Sequence, residues 1–198
     1  MNSASITPAG VILAAGASSR MGRVKALLEI DGETFIDRVA RVLGTKCNPV
    51  IAVLGHHAEA IRAGLRNPGA IQFAENPEPD CGMLTSLQIG LCSAPDLSAG
   101  VLFTPVDVPL VSLSTVSLLA AALSKGASVA VPVYKGKRGH PVAISGGVAE
   151  RLMGLPESGR ANDMIRAEVA VEITVADAGV ILEVDTPQDY EALLCHVG

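Results

Sequence analysis

The chain has 198 residues, of which 49% are hydrophobic and 18% are charged. This length suits one α/β domain over residues 1–198 and is too short for two domains that each bury a core. The formal net charge of −5 and the absence of tryptophan argue against nucleic acid as a partner, because nucleic-acid sites depend on basic patches and stacking aromatic side chains.

Neither export nor a membrane span is indicated. Residues 1–8 carry no basic region and no long apolar run, and no apolar stretch of the chain approaches membrane-spanning length. Four cysteines are scattered without the spacing of a metal or redox site and are interpreted as free thiols: Cys47, Cys81, Cys92 and Cys195. We therefore expect a cytoplasmic protein with no membrane partner.

The first predicted element is a buried strand at residues 11–13, and the chemistry of the chain changes directly after it. The next segment combines residues that have little or no side chain with two spaced cations: Ala14, Ala15, Gly16, Arg20, Gly22 and Lys25. Small residues let the backbone approach a ligand closely, and glycine adopts dihedral angles that other residues avoid. Backbone N–H groups in such a turn bind phosphate oxygens, and the two cations add positive charge. This loop therefore predicts a triphosphate site.

Two better-known phosphate-binding motifs do not match this loop. The dinucleotide fingerprint requires Gly-x-Gly-x-x-Gly, and the P-loop requires Gly-x-x-x-x-Gly-Lys-Ser/Thr. Gly16 is followed by Ala-Ser-Ser, and neither Ser nor Thr follows Lys25. By composition alone the segment could be an ordinary Gly/Ser-rich turn. Its full pattern, Leu-Ala-Ala-Gly-x-Ser-x-Arg-Met-Gly-x-x-Lys, resembles the signature of nucleotidyltransferases that act on nucleoside triphosphates, particularly the molybdenum cofactor cytidylyltransferases.

Short apolar strands alternate with helices along the rest of the chain. Further strands are predicted at residues 50–54, 71–74, 101–104, 128–134, 140–144 and 180–184. Helices are predicted at residues 35–43, 57–65, 82–91, 112–126, 148–153 and 162–168, and again from Thr186 onwards. Such alternation is typical of a parallel sheet covered on both faces. The predicted fold is an open, mostly parallel, Rossmann-like three-layer α/β sandwich, which by resemblance is of the nucleotide-diphospho-sugar transferase type.

Two aspartates stand at the expected ligand-binding edge of this sheet. Ligands of an open α/β sheet gather at the carboxyl ends of its strands, and Asp107 follows the strand at 101–104 in Thr-Pro-Val-Asp-Val-Pro. A carboxylate held rigid by two prolines suits Mg²⁺ bound jointly with phosphates, whereas a cap or a turn is the alternative role. Asp185 also follows a predicted strand, although its charge could instead complement the dipole of the helix that begins beside it.

Four further segments resemble blocks of the cytidylyltransferases that modify molybdopterin, in that family's order and at about its spacing. They are Asn-Pro-x-x-x-x-Gly-Met-x-x-Ser-Leu-x-x-Gly-Leu at 76–91, Thr-Pro-Val-Asp-Val-Pro-Leu-Val at 104–111, Arg-Gly-His-Pro-Val at 138–142 and Glu-Val-Asp-Thr-Pro-Gln-Asp-Tyr at 183–190. With the N-terminal motif they extend over nearly the whole chain. One segment departs from the family, because relatives often carry Gly-Asp-x-Gly-Ala-Arg where this chain has Pro-Glu-Ser-Gly-Arg-Ala at 156–161. Arg160 is therefore left out of the candidate site.

The resemblance implies a role for each matching residue. Triphosphate and base would be bound by the N-terminal loop, through Leu13, Ala14, Ala15, Gly16, Arg20, Gly22 and Lys25. Base or ribose would be contacted by Asn76, Gly82 and Ser86, and the catalytic residues would be Arg20, Lys25 and Asp107. Asp107 and Asp185 would hold Mg²⁺, with Mn²⁺ as an alternative. His140 would face the acceptor, unless it only forms a hydrogen bond within a hairpin.

The implied reaction is attack by a terminal phosphate of a molybdopterin-type cofactor on the α-phosphorus of CTP, with release of pyrophosphate. CTP is favoured over GTP because guanylyltransferase relatives commonly carry Leu-Ala-Gly-Gly here, and the methyl group of Ala15 would crowd a purine. Two alternatives stay open. One is nucleotidyl transfer to a sugar phosphate or polyol phosphate, and the other is a non-catalytic carrier that delivers the cofactor to a molybdenum hydroxylase. The retained cations and Asp107 favour an enzyme, with such a hydroxylase as its transient recipient.

Overall fold

A β-sheet forms the centre of the computed structural model, which describes residues 7–156 and 158–197. The strands are β1 Ala9–Ala14, β2 Glu29–Ile30, β3 Glu33–Thr34, β4 Val50–Leu54, β5 Gln72–Glu75, β6 Val101–Pro105, β7 Val129–Tyr134, β8 Lys137–Arg138, β9 Val142–Ile144 and β10 Ala170–Thr174. The helices are α1 Phe35–Leu43, α2 Ala58–Gly64, α3 Met83–Cys92, α4 Leu113–Ser124, α5 Gly146–Met153, α6 Ala161–Ala167 and α7 Pro187–Val197. Most of the N-terminal segment on which the argument about export depends lies outside the described residues.

The order of strands in the sheet is β10-β7-β9-β6-β1-β4-β5, with β8 paired to β7. β1 runs parallel to both of its neighbours, so that Ile12 lies beside Ala52 of β4 and Thr104 of β6. The strand β9 is antiparallel to both β6 and β7, while β10 is parallel to β7. The short strands β2 and β3 form a separate hairpin. This arrangement confirms the predicted open, mostly parallel α/β fold.

Two apolar layers cover the faces of the sheet, because successive side chains of a strand point to opposite faces. In β1, Ile12 packs into one layer, whereas Val11 and Leu13 pack into the other. The layer around Ile12 includes buried residues of α1 and α4, and the opposite layer includes buried residues of α3, α5 and α6. The central strands β1, β4 and β6 are near-continuous apolar runs, as expected where a sheet is buried on both sides.

Hydroxyl side chains cap the starts of three helices. Thr34 Oγ1 accepts a hydrogen bond from the Asp37 backbone N–H at 3.2 Å, at the start of α1. Ser112 Oγ accepts one from the Thr115 N–H at 3.2 Å, at the start of α4. Thr186 Oγ1 accepts the Asp189 N–H at 3.2 Å before α7. A side-chain acceptor at these positions satisfies one of the backbone donors that the first helical turn leaves unpaired.

The sequence-based prediction is wrong for the C-terminal part of the sheet. Residues 180–184 were expected to form a strand, but Ala178–Ile181 is a 3₁₀ turn and the following residues are irregular. The strand in this region is instead β10, an edge strand that is mostly exposed. Its sequence Ala-Val-Glu-Ile-Thr lacks the continuous apolar run of a buried strand. In the 180–184 segment Val180 and Val184 are buried, and Val184 joins the apolar layer around Ile12, although the segment pairs with no strand of the sheet. Within the described ranges, no helix is long and apolar enough to cross a membrane.

Candidate functional site

A cleft of about 320 Å³ opens at the carboxyl ends of β1 and β6. These strands are parallel neighbours, so the loop after β1 and the segment after β6 leave the sheet side by side. The N-terminal turn of α3 lines a further side. Nine residues singled out from the sequence line this cleft: Leu13, Ala14, Ala15, Gly16, Arg20, Lys25, Gly82, Ser86 and Asp107. The topology of the sheet therefore brings three distant segments of the chain into one cavity.

Backbone turns give the loop after β1 its shape. The N–H groups of Met21 and Gly22 both donate to the Ser18 carbonyl oxygen, at 3.0 and 3.1 Å. Ser18 and Gly22 have φ values of 54° and 67°, in the left-handed region that favours glycine. Gly22 does not line the cleft, and its positive φ shows that it serves the turn. The turn leaves Arg20 at its tip, with 69% of the side chain exposed.

Four charged side chains form a cluster at the cleft, of which Arg20, Lys25 and Asp107 line the cleft and Asp185 does not. Lys25 Nζ is 2.8 Å from Asp107 Oδ2 and 2.5 Å from Asp185 Oδ1. Arg20 Nη2 is 3.1 Å from the other oxygen of Asp185. Burial by itself lowers the pKa of Lys25, but its hydrogen bonds to the two carboxylates outweigh that effect and the pKa is raised. The hydrogen bond from Lys25 lowers the pKa of Asp185 in turn, so Lys25 and Asp185 hold each other in their charged forms.

Asp185 reaches the cluster from an irregular segment and not from the end of a strand. The N–H of Val184 donates to the Asp107 carbonyl oxygen at 3.0 Å, which ties the two aspartate-bearing segments together. The N–H of Asp185 donates to Asp189 Oδ2 at 3.1 Å. Upstream, the Val180 carbonyl oxygen accepts the His140 N–H at 2.8 Å. Backbone hydrogen bonds therefore replace the strand that the sequence predicted.

Asn76 and His140 lie outside the lining of the cleft. Asn76 is buried, and its side-chain amide donates to Ser86 Oγ at 2.9 Å, so it fixes the serine on the first turns of α3. The His140 ring packs edge-on against Phe103, with ring centroids 6.4 Å apart. Burial lowers the pKa of His140, against the opposing charge of Asp107, and its Nδ1 is buried without a hydrogen-bond partner among the described residues. His140 is therefore a neutral neighbour of the charged cluster.

Several residues that shape the cleft were not singled out from the sequence. Ser18 Oγ accepts the backbone N–H of Lys25 at 3.2 Å and so anchors the start of that side chain. Ser18, Ser19 and Met83 also line the cleft. Both serines lie within the glycine-rich motif, which was the available signal, because hydroxyl groups in such loops cap backbone N–H groups. Met83 is the methionine of the Asn-Pro-x-x-x-x-Gly-Met block at 76–91, which was the corresponding signal.

The turn between β4 and α2 supports two walls of the cleft. A Cβ atom on Gly55 would lie 2.5 Å from the Ala15 carbonyl oxygen and 2.8 Å from Pro79 Cβ, so only glycine fits between these loops. His56 and His57, which follow Gly55, each contact one of these two loops. His57 Nε2 is 2.9 Å from the Ala17 carbonyl oxygen, and His56 Nε2 is 2.9 Å from Asp80 Oδ1. These two contacts fix the distance between the loop after β1 and the residues that precede α3.

The oxygen atoms of Asp107 and Asp185 fit a divalent cation. Both carboxylates already converge on one positively charged atom, Lys25 Nζ, and Mg²⁺ prefers oxygen ligands and often takes only one or two protein carboxylates. Among residues 7–156 and 158–197, no cluster of three or more His, Cys, Asp or Glu side chains could hold a metal on its own. A cation at this point would therefore need further oxygen atoms, such as those of phosphate groups or water.

Several known proteins are similar to this chain in sequence or in structure. The model of the MobA-like NTP transferase domain matches residues 10–173. The molybdenum cofactor cytidylyltransferase of Escherichia coli is 25% identical over 181 residues, which cover 91% of this chain and 92% of that protein. A molybdenum cofactor guanylyltransferase of Sinorhizobium fredii is 31% identical over 197 residues, with 91% and 88% covered. The Mycobacterium tuberculosis protein Rv0371c, solved in complex with manganese, is 27% identical with a TM-score of 0.78, over 96% of this chain and 98% of that one.

The family model covers the loop after β1, the start of α3, the segment after β6 and the turn that carries His140. Its match therefore includes every residue that lines the cleft, whereas Asp185, which contacts Lys25 and Arg20 from outside the lining, lies beyond the matched range. The chain belongs to the family of MobA-like NTP transferase domains and is a nucleotidyltransferase.

Proposed function

We propose that this protein transfers CMP from CTP to the terminal phosphate of a molybdopterin-type cofactor and releases pyrophosphate. The observation that carries the proposal is the convergence of Arg20, Lys25 and Asp107 on one cleft behind a glycine-rich turn. The named activities of the two curated relatives support molybdenum cofactor biosynthesis as the process. We also propose that the protein acts as a single domain in the cytoplasm and passes its product to a molybdenum hydroxylase.

The residues of the cleft suit a direct transfer without a covalent enzyme intermediate. The phosphate of the acceptor is already ionised near neutral pH, so no strong general base has to remove a proton. Catalysis then consists of aligning the acceptor oxygen with the α-phosphorus and the leaving pyrophosphate, and of neutralising charge as that bond breaks. In this proposal Arg20 and Lys25 bind the phosphate oxygens, while the backbone of residues 14–16 lies against the nucleotide.

Asp107 and Asp185 would hold Mg²⁺ or Mn²⁺. When bound, such an ion neutralises phosphate charge and orients the triphosphate. Manganese in the structurally similar Rv0371c supports a divalent ion, and the two converging carboxylates supply oxygen ligands for either metal. Asn76 would act indirectly, through its hydrogen bond to Ser86, and Gly22 would act through the shape of the turn.

Ala15 is the residue on which we base the preference for CTP. Ala15 is 4% exposed and lines the cleft, and in this proposal its methyl group would crowd a purine base. The two curated relatives differ in the base that their names specify, so overall similarity does not decide between the bases. The proposed preference for CTP therefore rests on the volume of the Ala15 side chain.

The direct test is a screen of the four ribonucleoside triphosphates with Mg²⁺, against molybdopterin and common sugar phosphates, with pyrophosphate release as the readout. We expect release above background with CTP and molybdopterin together. Release with a sugar phosphate in place of molybdopterin would favour the alternative acceptor. Binding of the cofactor without release of pyrophosphate from any triphosphate would favour the carrier function.

The preference for the base should change when the methyl group is removed. Ala15→Gly is expected to raise the ratio of kcat/KM for GTP over CTP by about tenfold, because one methyl group in a pocket typically changes discrimination by that order. Ala17→Gly, in the same loop but outside the cleft lining, is the control for added backbone freedom. Equal kcat/KM ratios in Ala15→Gly and the wild type would remove the steric argument for CTP.

A further inference from the structure

The four charges at the mouth of the cleft balance one another when no ligand is bound. Asp107 and Asp185 supply two negative charges, and Lys25 and Arg20 supply two positive charges through contacts of 2.5 to 3.1 Å. The cluster is partly shielded from water, since the side chains of Lys25 and Asp107 are only 14% and 20% exposed. Charge-assisted hydrogen bonds in such surroundings are stronger than neutral ones.

Lys25 Nζ stands where the oxygen atoms of the two aspartates converge. Both distances are those of direct hydrogen bonds, so a metal ion could not bind to the same oxygens of both carboxylates while the ammonium group stays in place. A divalent ion would have to displace the ammonium group and break two charge-assisted hydrogen bonds. Without a compensating anion, the displaced ammonium group would lose its counter-charges.

A triphosphate supplies that compensation. The backbone of Lys25 is anchored by its N–H to Ser18 Oγ, and the Lys25 side chain also lines the cleft. The side chain can therefore turn from the aspartates towards phosphate oxygens while its main chain stays fixed. Arg20 is largely exposed and can make the same exchange.

We propose that the Lys25 ammonium group occupies the divalent-cation position until a triphosphate enters, so that metal binding to Asp107 and Asp185 depends on the nucleotide. This inference rests on the proposed function for the identity of the anion. It assigns Lys25 a second role, as the residue that couples metal binding to nucleotide binding. Such a coupling is reciprocal, so that the nucleotide also binds more tightly when the metal is present.

The test measures Mn²⁺ binding to the full chain with no nucleotide or acceptor, by the loss of the free Mn²⁺ signal in electron paramagnetic resonance. Lys25→Met keeps the apolar part of the side chain and removes the charge. This variant should bind Mn²⁺ more tightly than the wild type, by at least about tenfold. Lys25→Arg, which keeps a cation, should remain weak. Arg20→Met, which removes the cation that contacts only Asp185, should give a smaller gain. Adding Asp107→Asn to Lys25→Met should abolish the gain.

Unchanged Mn²⁺ affinity in a folded Lys25→Met variant would overturn the inference. Folding is checked by cooperative thermal unfolding, and Lys25→Gln replaces Lys25→Met if that variant does not unfold cooperatively. A crystal of the wild type soaked in Mn²⁺ gives an independent answer, because Mn²⁺ on both aspartates with Lys25 Nζ still hydrogen-bonded to them would also overturn it. If the wild type releases no pyrophosphate but Lys25→Met gains Mn²⁺ affinity, the proposed function fails, whereas the assignment of the Lys25 ammonium group to the divalent-cation position stands.

Discussion

Asp107→Asn should lower kcat for pyrophosphate release from Mg-CTP by about 10² to 10³, the usual cost of removing a main charge-stabilising group from an active site. Asparagine keeps the shape and one oxygen atom but removes the charge that faces Lys25 at 2.8 Å. The variant should fold normally, because the Asp107 side chain points into the cleft and its backbone carbonyl still accepts the Val184 N–H. Steady-state kinetics at saturating Mg-CTP, together with thermal unfolding, measure both effects.

Asp31→Asn is a matched control for this variant. Asp31 lies in the turn between β2 and β3, away from the cleft, with a φ of 52° that asparagine also tolerates. Its kcat should equal that of the wild type. If Asp107→Asn kept full turnover, Asp107 would be neither a metal ligand nor a catalytic residue, and the proposed assignment of the active site would be wrong.

Gly139→Ala should reduce the free energy of unfolding by about 1 to 3 kcal/mol, the typical cost of inserting an extra methyl group into a packed site. The added Cβ would lie 2.2 Å from the Val180 carbonyl oxygen and 2.7 Å from the carbonyl carbon. Both atoms belong to the backbone, so no side-chain rotation can relieve the contact. Denaturant unfolding followed by circular dichroism measures this loss of stability.

Gly139→Ala should also affect the active site. Val180 lies in the 3₁₀ turn that precedes the irregular segment ending at Asp185. The turn and the segment are held by the hydrogen bonds from His140 to Val180 and from Val184 to Asp107. Displacing Val180 should loosen the contact between Asp185 and Lys25 and lower kcat/KM for Mg-CTP in the folded variant.

Gly147→Ala is the control for this change of glycine to alanine. Gly147 lies in α5, and a Cβ there meets no atom within 4 Å. Since glycine costs about 0.5 to 1 kcal/mol relative to alanine in a helix, this variant should be as stable as the wild type or more stable. Equal unfolding midpoints for Gly139→Ala and the wild type would show that the Val180 segment is not packed as described.

The elements of the fold differ in how well their sequences predict them. Val50–Leu54 and Val101–Pro105 are buried on both faces, so each is a short continuous apolar run with a turn at both ends. The strand Ala170–Thr174 is mostly exposed at the edge of the sheet and carries Glu172, which hides it among polar residues. The apolar run at 180–184 has the pattern of a buried strand because Val180 and Val184 are buried, but its backbone does not pair with the sheet.

The residues of the candidate site also differ in how well the sequence predicts them. The phosphate-binding loop is indicated by spacing alone, because its residues are close in the chain: Ala14, Gly16, Arg20 and Lys25. The role of Ser18 was harder to predict, because Ser18 contributes a single hydrogen bond to the Lys25 backbone. The role of Gly55 cannot be predicted from the sequence, since it depends on two loops that are far from it in the chain and meet at its Cα atom.

The amino-acid sequence by itself determined the alternating α/β architecture, the glycine-rich loop and the family, because these depend on apolar periodicity and on residues within short motifs. Only the tertiary structure decided that Asp185 reaches Asp107 from an irregular segment, and that Lys25 bridges the two carboxylates. These contacts join residues 82 and 160 positions apart in the chain. Their geometry is set by the parallel pairing of β1 with β6 and by backbone hydrogen bonds between loops, which leave no periodic pattern in the sequence.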